Sequence, residues 1–445
     1  MQMAHNRAAW LVVAVAAVFF GWRLFAPPAI GIADNGDFPK VTGPFWIGPA
    51  EGRAAAEDHN YYPLKYVQST NYIWNSGVYT AEELYTWLAF RISRPFSRGS
   101  AFDIRWLGLV HMCALLLALW WVARVSTSAA CIAVFLFGDA AYLAYCNTFY
   151  MDAAGFTALA LLTAAAVNIA VFGYSRWRLL ALTAAALLYV TAKIQHAPMG
   201  IAVAVLMVLM LRTKWAAAAA AVIVLAVIPM MHSAPQAWRG EALFDAVFYG
   251  ITPGSPTPLA DLKELGLGEA ELPYVGMHVY SPGAPTDSAE WSRRFVERVP
   301  YWKVARFYAT HPARTLGTLW YNLYTVAWEL QEPGMGNYPR HSGMPPGAKA
   351  PGYWSGIRSW VLRHAPLTAP LWVLGCIAWA LRSRSRLAWL CAALALMSAG
   401  EFCIACLGDA VETNRHLFLY HVLTEITICF ALTRLLAAVR RWVRA

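Results

Sequence analysis

Long apolar runs broken by short polar turns fill the first half of the chain, and the same pattern returns at its end. A bilayer core of about 30 Å takes roughly 20 helical residues. Stretches of that order lie near 8–25, 105–123, 128–147, 154–173, 178–192, 197–212, 215–232, 360–381, 387–406 and 416–436. The pattern predicts an all-α polytopic membrane protein with about ten transmembrane helices. HPARTLGTLWYNLYTVAWELQ, residues 311–331, is long enough to be an eleventh. Were it to cross, Arg382, Arg384 and Arg386 would face outward, so it is read as a helix lying on, or dipping into, the outer leaflet. The first run is too long for a cleaved signal peptide, and Arg23 near its end is no small-residue cleavage site.

Two long polar stretches interrupt the spans, 26–104 and 233–358. They divide the chain into an N-terminal transmembrane module, 1–232, with its first loop at 26–104; a large extracytoplasmic loop, 233–358; and a C-terminal transmembrane module, 359–445. Within the first loop, TAEELYTWLAFRIS reads as a helix that Thr80 caps ahead of Glu82 and Glu83. Residues 333–352 are half Pro and Gly, which predicts an irregular or mobile segment.

Composition sharpens the class. Of 445 residues 59% are hydrophobic and 13% charged, and the mean hydropathy is +0.44, outside the range of soluble domains. The formal charge of +10 would suit nucleic acid, but its distribution argues otherwise. Thirteen basic residues, Arg7, Arg124, Arg176, Arg178, Arg212, Lys214, Arg382, Arg384, Arg386, Arg434, Arg440, Arg441 and Arg444, fall in connections on one side that carry no acid. They mark the cytoplasmic face and put both termini there. All eight cysteines lie in the predicted spans, so no disulfide framework is implied.

The chemistry-bearing residues gather in four turns on the other side. Asp34 and Asp37 sit in GIADNGDFPK after the first span. Asn147, Tyr150 and Asp152 occupy NTFYMDAAG; Lys193, Gln195 and His196 occupy AKIQHAP; Asp409, Glu412, Arg415 and His416 occupy GDAVETNRH. One such turn alone is ordinarily a solvated loop, and Asp139, Glu425, His111 and His421 inside spans read as interhelical partners. Together, acids and cations at one membrane boundary suggest an anionic lipid headgroup met by Lys and Arg, with carboxylates left for chemistry or metal. Sugar transfer from a lipid phosphate needs a carboxylate base for the acceptor hydroxyl, which Asp34 or Asp37 can supply. It also needs cations or a divalent metal for the leaving phosphate, and Lys193, Arg415 and His416 suit that need. Tyr61, Tyr62, Tyr66, Tyr72 and Trp74 in the first loop fit either an interfacial belt or sugar stacking.

This layout, with the motifs ADNGDFPK, NTFYMDA, AKIQ and ETNRHLFLY, resembles the GT-C superfamily of integral-membrane glycosyltransferases, and more narrowly the bacterial WsfD-like hexose transferases. The resemblance implies a GT-C-like fold of ten to eleven spans with two large extracytoplasmic loops. It implies an inverting transferase that moves a sugar from a polyprenyl-phosphate carrier to a cell-envelope glycan or lipid-linked acceptor, among membrane lipids and without nucleic acid. The site would face the periplasm or exterior of a bacterial inner membrane. A first-loop aspartate would be the base, Asp37 being preferred because Gly36 and Phe38 let it turn toward the membrane while Asp34 holds the loop. Asp152, Tyr150, Asn147 and Glu412 would meet the acceptor or a metal; Lys193, Arg415, His416 and Gln195 would grip the lipid phosphate. A Mg or Mn ion would fall to Asp34 and Asp152, although Asp152 stands where the resemblance expects Glu and reaches one methylene less far. The competing expectation is a lipid-linked glycan flippase or other transporter, which calls for ionisable residues near the membrane midplane. A membrane acyltransferase, with His111 or His421 deep in a span, is the third.

Overall fold

The computed structural model describes residues 2–72, 79–97 and 99–444; Trp74 lies outside them. All ten predicted stretches are helical. Among the described residues, six helices are long and apolar enough to cross a membrane, and up to eight if each of two bent pairs counts as one span. The chain is thus a multi-pass, all-α membrane protein. The helices that build the bundle and flank the site include α1 (Gln2–Phe25), α2 (Ala81–Ser93), α3 (Arg105–Ala123), α4 (Thr127–Phe137), α5 (Met151–Phe172), α6 (Arg176–Val190), α7 (Met199–Leu211), α8 (Lys214–His232), α9 (Gln236–Phe244), α10 (Pro312–Thr325), α11 (Trp354–His364), α12 (Thr368–Ser383), α13 (Arg386–Gly408), α14 (Thr413–His416) and α15 (Phe418–Arg444). Helices α6 and α7, of 15 and 13 residues, fall short of the roughly 20 that a straight span needs. Helix α10 has 14 residues and exposes Leu316, Trp320 and Tyr321, so it does not supply an eleventh span.

Two predicted spans are broken. Between α4 and residues Ala140–Asn147 the chain turns by 76°. Asp139 causes the stop: its carboxylate accepts from Ala141 N–H at 2.9 Å and from the N–H groups of Trp354 and Ser355 at 2.8 and 3.0 Å, so it caps two helix starts at once. Between α11 and α12 the turn is 101°. Pro366 drives the residue before it out of the helical region, and Ala365 sits at φ −140°, ψ 61°. Glu425 accepts from Tyr142 Oη and Trp354 Nε1 at 3.0 and 2.7 Å and lies 2.9 Å from Arg358 Nε. The interhelical role expected of these two acids is what the packing displays.

Helix α5 is the hub, packing against α3, α6 and α13, and is 72% buried over its apolar window. At one end of the bundle the first long loop folds onto it. Strands β1 (Ile47–Pro49), β2 (Lys65–Gln68) and β3 (Ala101–Asp103) form an antiparallel sheet in that order, with Tyr66 opposite Phe102. Both rings are 1% exposed. Helix α2 follows, its Thr80 side chain accepting from Glu82 N–H as the sequence predicts. Residues 243–308 of the second long loop build a separate apolar cluster around Phe244, Phe248 and Phe307.

The Pro- and Gly-rich segment 333–352 is irregular, but it is packed. Gly31 N–H donates to Asn337 O and Ala33 N–H to Gly336 O, both at 3.0 Å, while Gly336 N–H donates to His59 O at 2.8 Å. Asn337, 1% exposed, donates to Gly31 O and accepts from Ala350 N–H. These bonds pin the chain that leads to Asp34.

Candidate functional site

The path from α1 to Asp34 is fixed from below. Asn147 donates to the carbonyls of Leu24 and Ile30 at 2.9 and 2.7 Å, so this residue, expected at an acceptor or metal, instead ties the chain leaving α1. Tyr150 Oη donates to Ala33 O at 2.8 Å and accepts from Asn35 N–H at 3.1 Å. These bonds hold the turn that carries the two aspartates. Asp34 then folds the turn around its own carboxylate: Oδ1 accepts from Gly36 and Phe38 N–H at 2.8 and 3.0 Å. That wrap requires φ +100° at Gly36, a conformation that only glycine takes without strain.

Asp34 and Asp37 end in opposite electrostatic states. Asp34 is 1% exposed; burial, reinforced by the charge of Asp37 and opposed by the backbone N–H groups, pushes its carboxyl up to about 7. For Asp37 burial acts in the same sense, but the guanidinium of Arg415 and the ammonium of Lys40 outweigh it and hold the carboxyl well below the usual range.

Arg415 is the knot of the site. Its guanidinium pairs with Asp37 and, at 2.6 Å, with Glu412, and it lies 5.3 Å from the centre of the Tyr150 ring. Glu412 also accepts from Asn35 Nδ2 at 2.8 Å. Ala410 and Glu412 adopt left-handed φ of 73° and 53°, a tight turn that swings Glu412 back over Arg415. Beside this lies a second knot. Lys193 Nζ donates to both oxygens of Asp152 at 3.1 Å. His196 stands with Nε2 3.7 Å from Asp152 and Nδ1 3.0 Å from Glu401, and Tyr189 Oη donates to Glu401 at 2.8 Å. Gln195 joins the two, donating to Glu401 at 3.3 Å and to His416 O at 2.7 Å while its Oε1 meets His416 Nδ1 at 2.9 Å.

The four turns singled out in the sequence therefore meet in one polar network. Of the predicted site residues, Asp34, Asp37, Tyr150, Asp152, Lys193, Gln195, Glu412, Arg415 and His416 belong to it, and Asn147 braces it. The two cations expected at a lipid phosphate are already paired with carboxylates, so an anion reaches Lys193 or Arg415 only by exchanging with Asp152, Asp37 or Glu412. The preference for Asp37 as base is also reversed by geometry, because a doubly paired, strongly acidic carboxylate is a poor proton acceptor.

Several participants were not read from the sequence as site residues. Glu401 is a fully buried acid in α13, and a carboxylate within the apolar run ALMSAGEFCIAC was the available signal. Lys40 lies 4.3 Å from the centre of the Trp238 ring on the second loop. From that loop Asp245 approaches Asp409. Burial first, and then their mutual repulsion, raise Asp245 to about 8; burial and the nearby Glu412, opposed by Arg415, raise Asp409 to about 7.

Asp34 opens onto a cavity of about 570 Å³ whose walls include Asn35, Arg53, Glu57, His59 and Tyr72. That lies within the size range of small-molecule sites. Among the described residues the Arg53 guanidinium has no ion-pair or hydrogen-bond partner, although it is exposed to this space. No group of three or more His, Cys, Asp or Glu side chains among the described residues is gathered to hold a metal ion. Asp34 Oδ1 is taken by backbone N–H groups and Asp152 by Lys193, so the pair expected to ligate Mg or Mn does not fit that task.

A family model described as the YfdI N-terminal transmembrane domain matches residues 2–445. No curated protein and no solved structure matches the chain.

Proposed function

The chain belongs to the family of the YfdI N-terminal transmembrane domain, and we propose that it is an inverting glycosyltransferase acting on a polyprenyl-phosphate-linked sugar at the extracytoplasmic face. The observation that carries this reading is Asp34: a buried carboxyl with a pKa of about 7, held by two backbone N–H groups and bordering a 570 Å³ cavity. A base is most effective when its pKa lies near the working pH. In the reaction the acceptor oxygen attacks the anomeric carbon, its proton passes to Asp34, and the bond from that carbon to the phosphate oxygen breaks with inversion.

The cavity suits a glycan or lipid-linked acceptor, with the Tyr72 ring and the polar groups of Asn35, Glu57 and His59 on its walls. Arg53, uncommitted on the wall of the same cavity, is the cation best free to meet the departing phosphate. Lys193 and Arg415 serve this scheme by holding Asp152, Asp37 and Glu412 in register rather than by offering unpaired charge. No step is assigned to a metal.

The test is transfer in proteoliposomes from synthetic polyprenyl-phosphate hexoses to lipid-linked glycan, with the product's anomeric configuration read by NMR. An inverted glycoside supports the proposal. Retention of configuration, or translocation of the intact donor without transfer, overturns it.

A further inference from the structure

A second cavity, of about 280 Å³, lies within the helix bundle, lined by α1, α3, α4, α5, α12, α13 and α15. Its walls are almost wholly apolar, among them Leu119, Ala133, Ala160 and Phe430, and the polar exceptions at one end include Ser126, Ser385 and Arg434. Along α4 it runs from Ser126 to Phe137, roughly 16 Å at the helical rise per residue. That is about half of a ~30 Å hydrocarbon core.

The two ends differ. Toward the polar network the slot is shut by aromatic rings: Phe137 packs on Phe156 and on Tyr142, with centroids 5.6 and 5.4 Å apart. At the other end stands Arg434, its guanidinium 5.8 Å from the centre of the Trp379 ring, with no carboxylate partner among the described residues. The neighbouring α12–α13 turn carries Arg382, Arg384 and Arg386 and no acid. A ligand whose headgroup sat in the Asp34 network could not thread its tail through the closed aromatic end, so the occupant enters from the arginine-bearing end.

We infer that this slot holds one acyl chain of an anionic phospholipid from the leaflet on the arginine-bearing side, with the lipid phosphate against Arg434. A straight hydrocarbon chain matches the apolar walls, and the arginines match a negative headgroup. The lipid fills the seam where α4, α5 and α15 meet and would otherwise leave an internal void.

The experiment is native mass spectrometry of the full chain in nonionic detergent, with phosphatidylglycerol or phosphatidylethanolamine added at equal concentration. One phosphatidylglycerol is expected to survive activation that strips phosphatidylethanolamine. Ala133→Phe, which fills the slot, is expected to abolish its retention. Arg434→Gln, at an exposed position, is expected to weaken it about fivefold, the factor for one arginine's attraction to an anionic surface, and it decides the matter should Ala133→Phe fail to fold. Equal retention of phosphatidylethanolamine, unchanged retention in Arg434→Gln, or displacement of phosphatidylglycerol by a polyprenyl phosphate would overturn the inference.

Discussion

Asp34 and Asp37 are neighbours on one turn, yet burial works on them with opposite outcomes because only Asp37 has cations beside it. Their substitutions should therefore separate. Asp37→Asn leaves Arg415 and Lys40 near a site built for a carboxylate, and breaking a buried pair in this way typically costs about 3–5 kcal/mol. Thermal unfolding at neutral pH should register a clear loss for Asp37→Asn and little change for Asp34→Asn. The pH dependence follows from the same shifts. Because the Asp34 pKa of about 7 lies above the ordinary 3.8, the folded state holds a proton that the unfolded chain gives up. Its contribution to stability is present at low pH and is lost as pH rises from about 4 toward 7. Asp37 behaves in reverse: its contribution is present above the ordinary carboxylate range and is lost as acid protonates it. Titrating unfolding of the wild type against Asp34→Asn should show the slope between pH 4 and 7 flatten in the variant; an unchanged slope would assign it to another group.

At the scale of elements, the apolar runs and the Thr80 cap were legible because they depend on local periodicity and on one side chain next to one N–H. The breaks were only half legible. Pro366 announces the 101° turn, whereas the 76° turn rests on Asp139 bonding to residues some two hundred positions away, which local pattern does not carry. The irregular path of 333–352 was legible from its Pro and Gly content, but its packing was not, for the same reason: it comes from backbone bonds to residues 31–33 and 59–62. Gly336 tests that packing. A Cβ there would lie 1.8 Å from Asn60 O, a backbone atom, so Gly336→Ala should detach the segment. Limited proteolysis is expected to cut the variant within 333–352 while leaving the wild type intact there; equal resistance would mean that the contact is dispensable.

For the molecule as a whole, the charge asymmetry was enough to gather four distant turns at one end, and the pairs Asp37–Arg415 and Asp152–Lys193 meet as that topology requires. The sequence could not say that those cations would be occupied, since pairing is a matter of side-chain distances, nor that Arg53 would face Asp34 across a cavity built by a small sheet. Orientation is checked by single cysteines in membrane vesicles of known sidedness. A membrane-impermeant maleimide should modify Glu297→Cys from the extracytoplasmic side and Arg384→Cys only from the cytoplasmic side; the opposite pattern would invert the topology. The central claim, that Asp34 is the base of a sugar transfer, is tested most directly by turnover of the wild type and Asp34→Asn with synthetic polyprenyl-phosphate hexoses across pH 5 to 9. The expected result is a wild-type rate that climbs with pH through about 7 as Asp34 loses its proton, and a loss of roughly 10²–10⁴-fold in the variant with donor binding retained. Full activity in Asp34→Asn, or a wild type that binds every donor and transfers none, would contradict it.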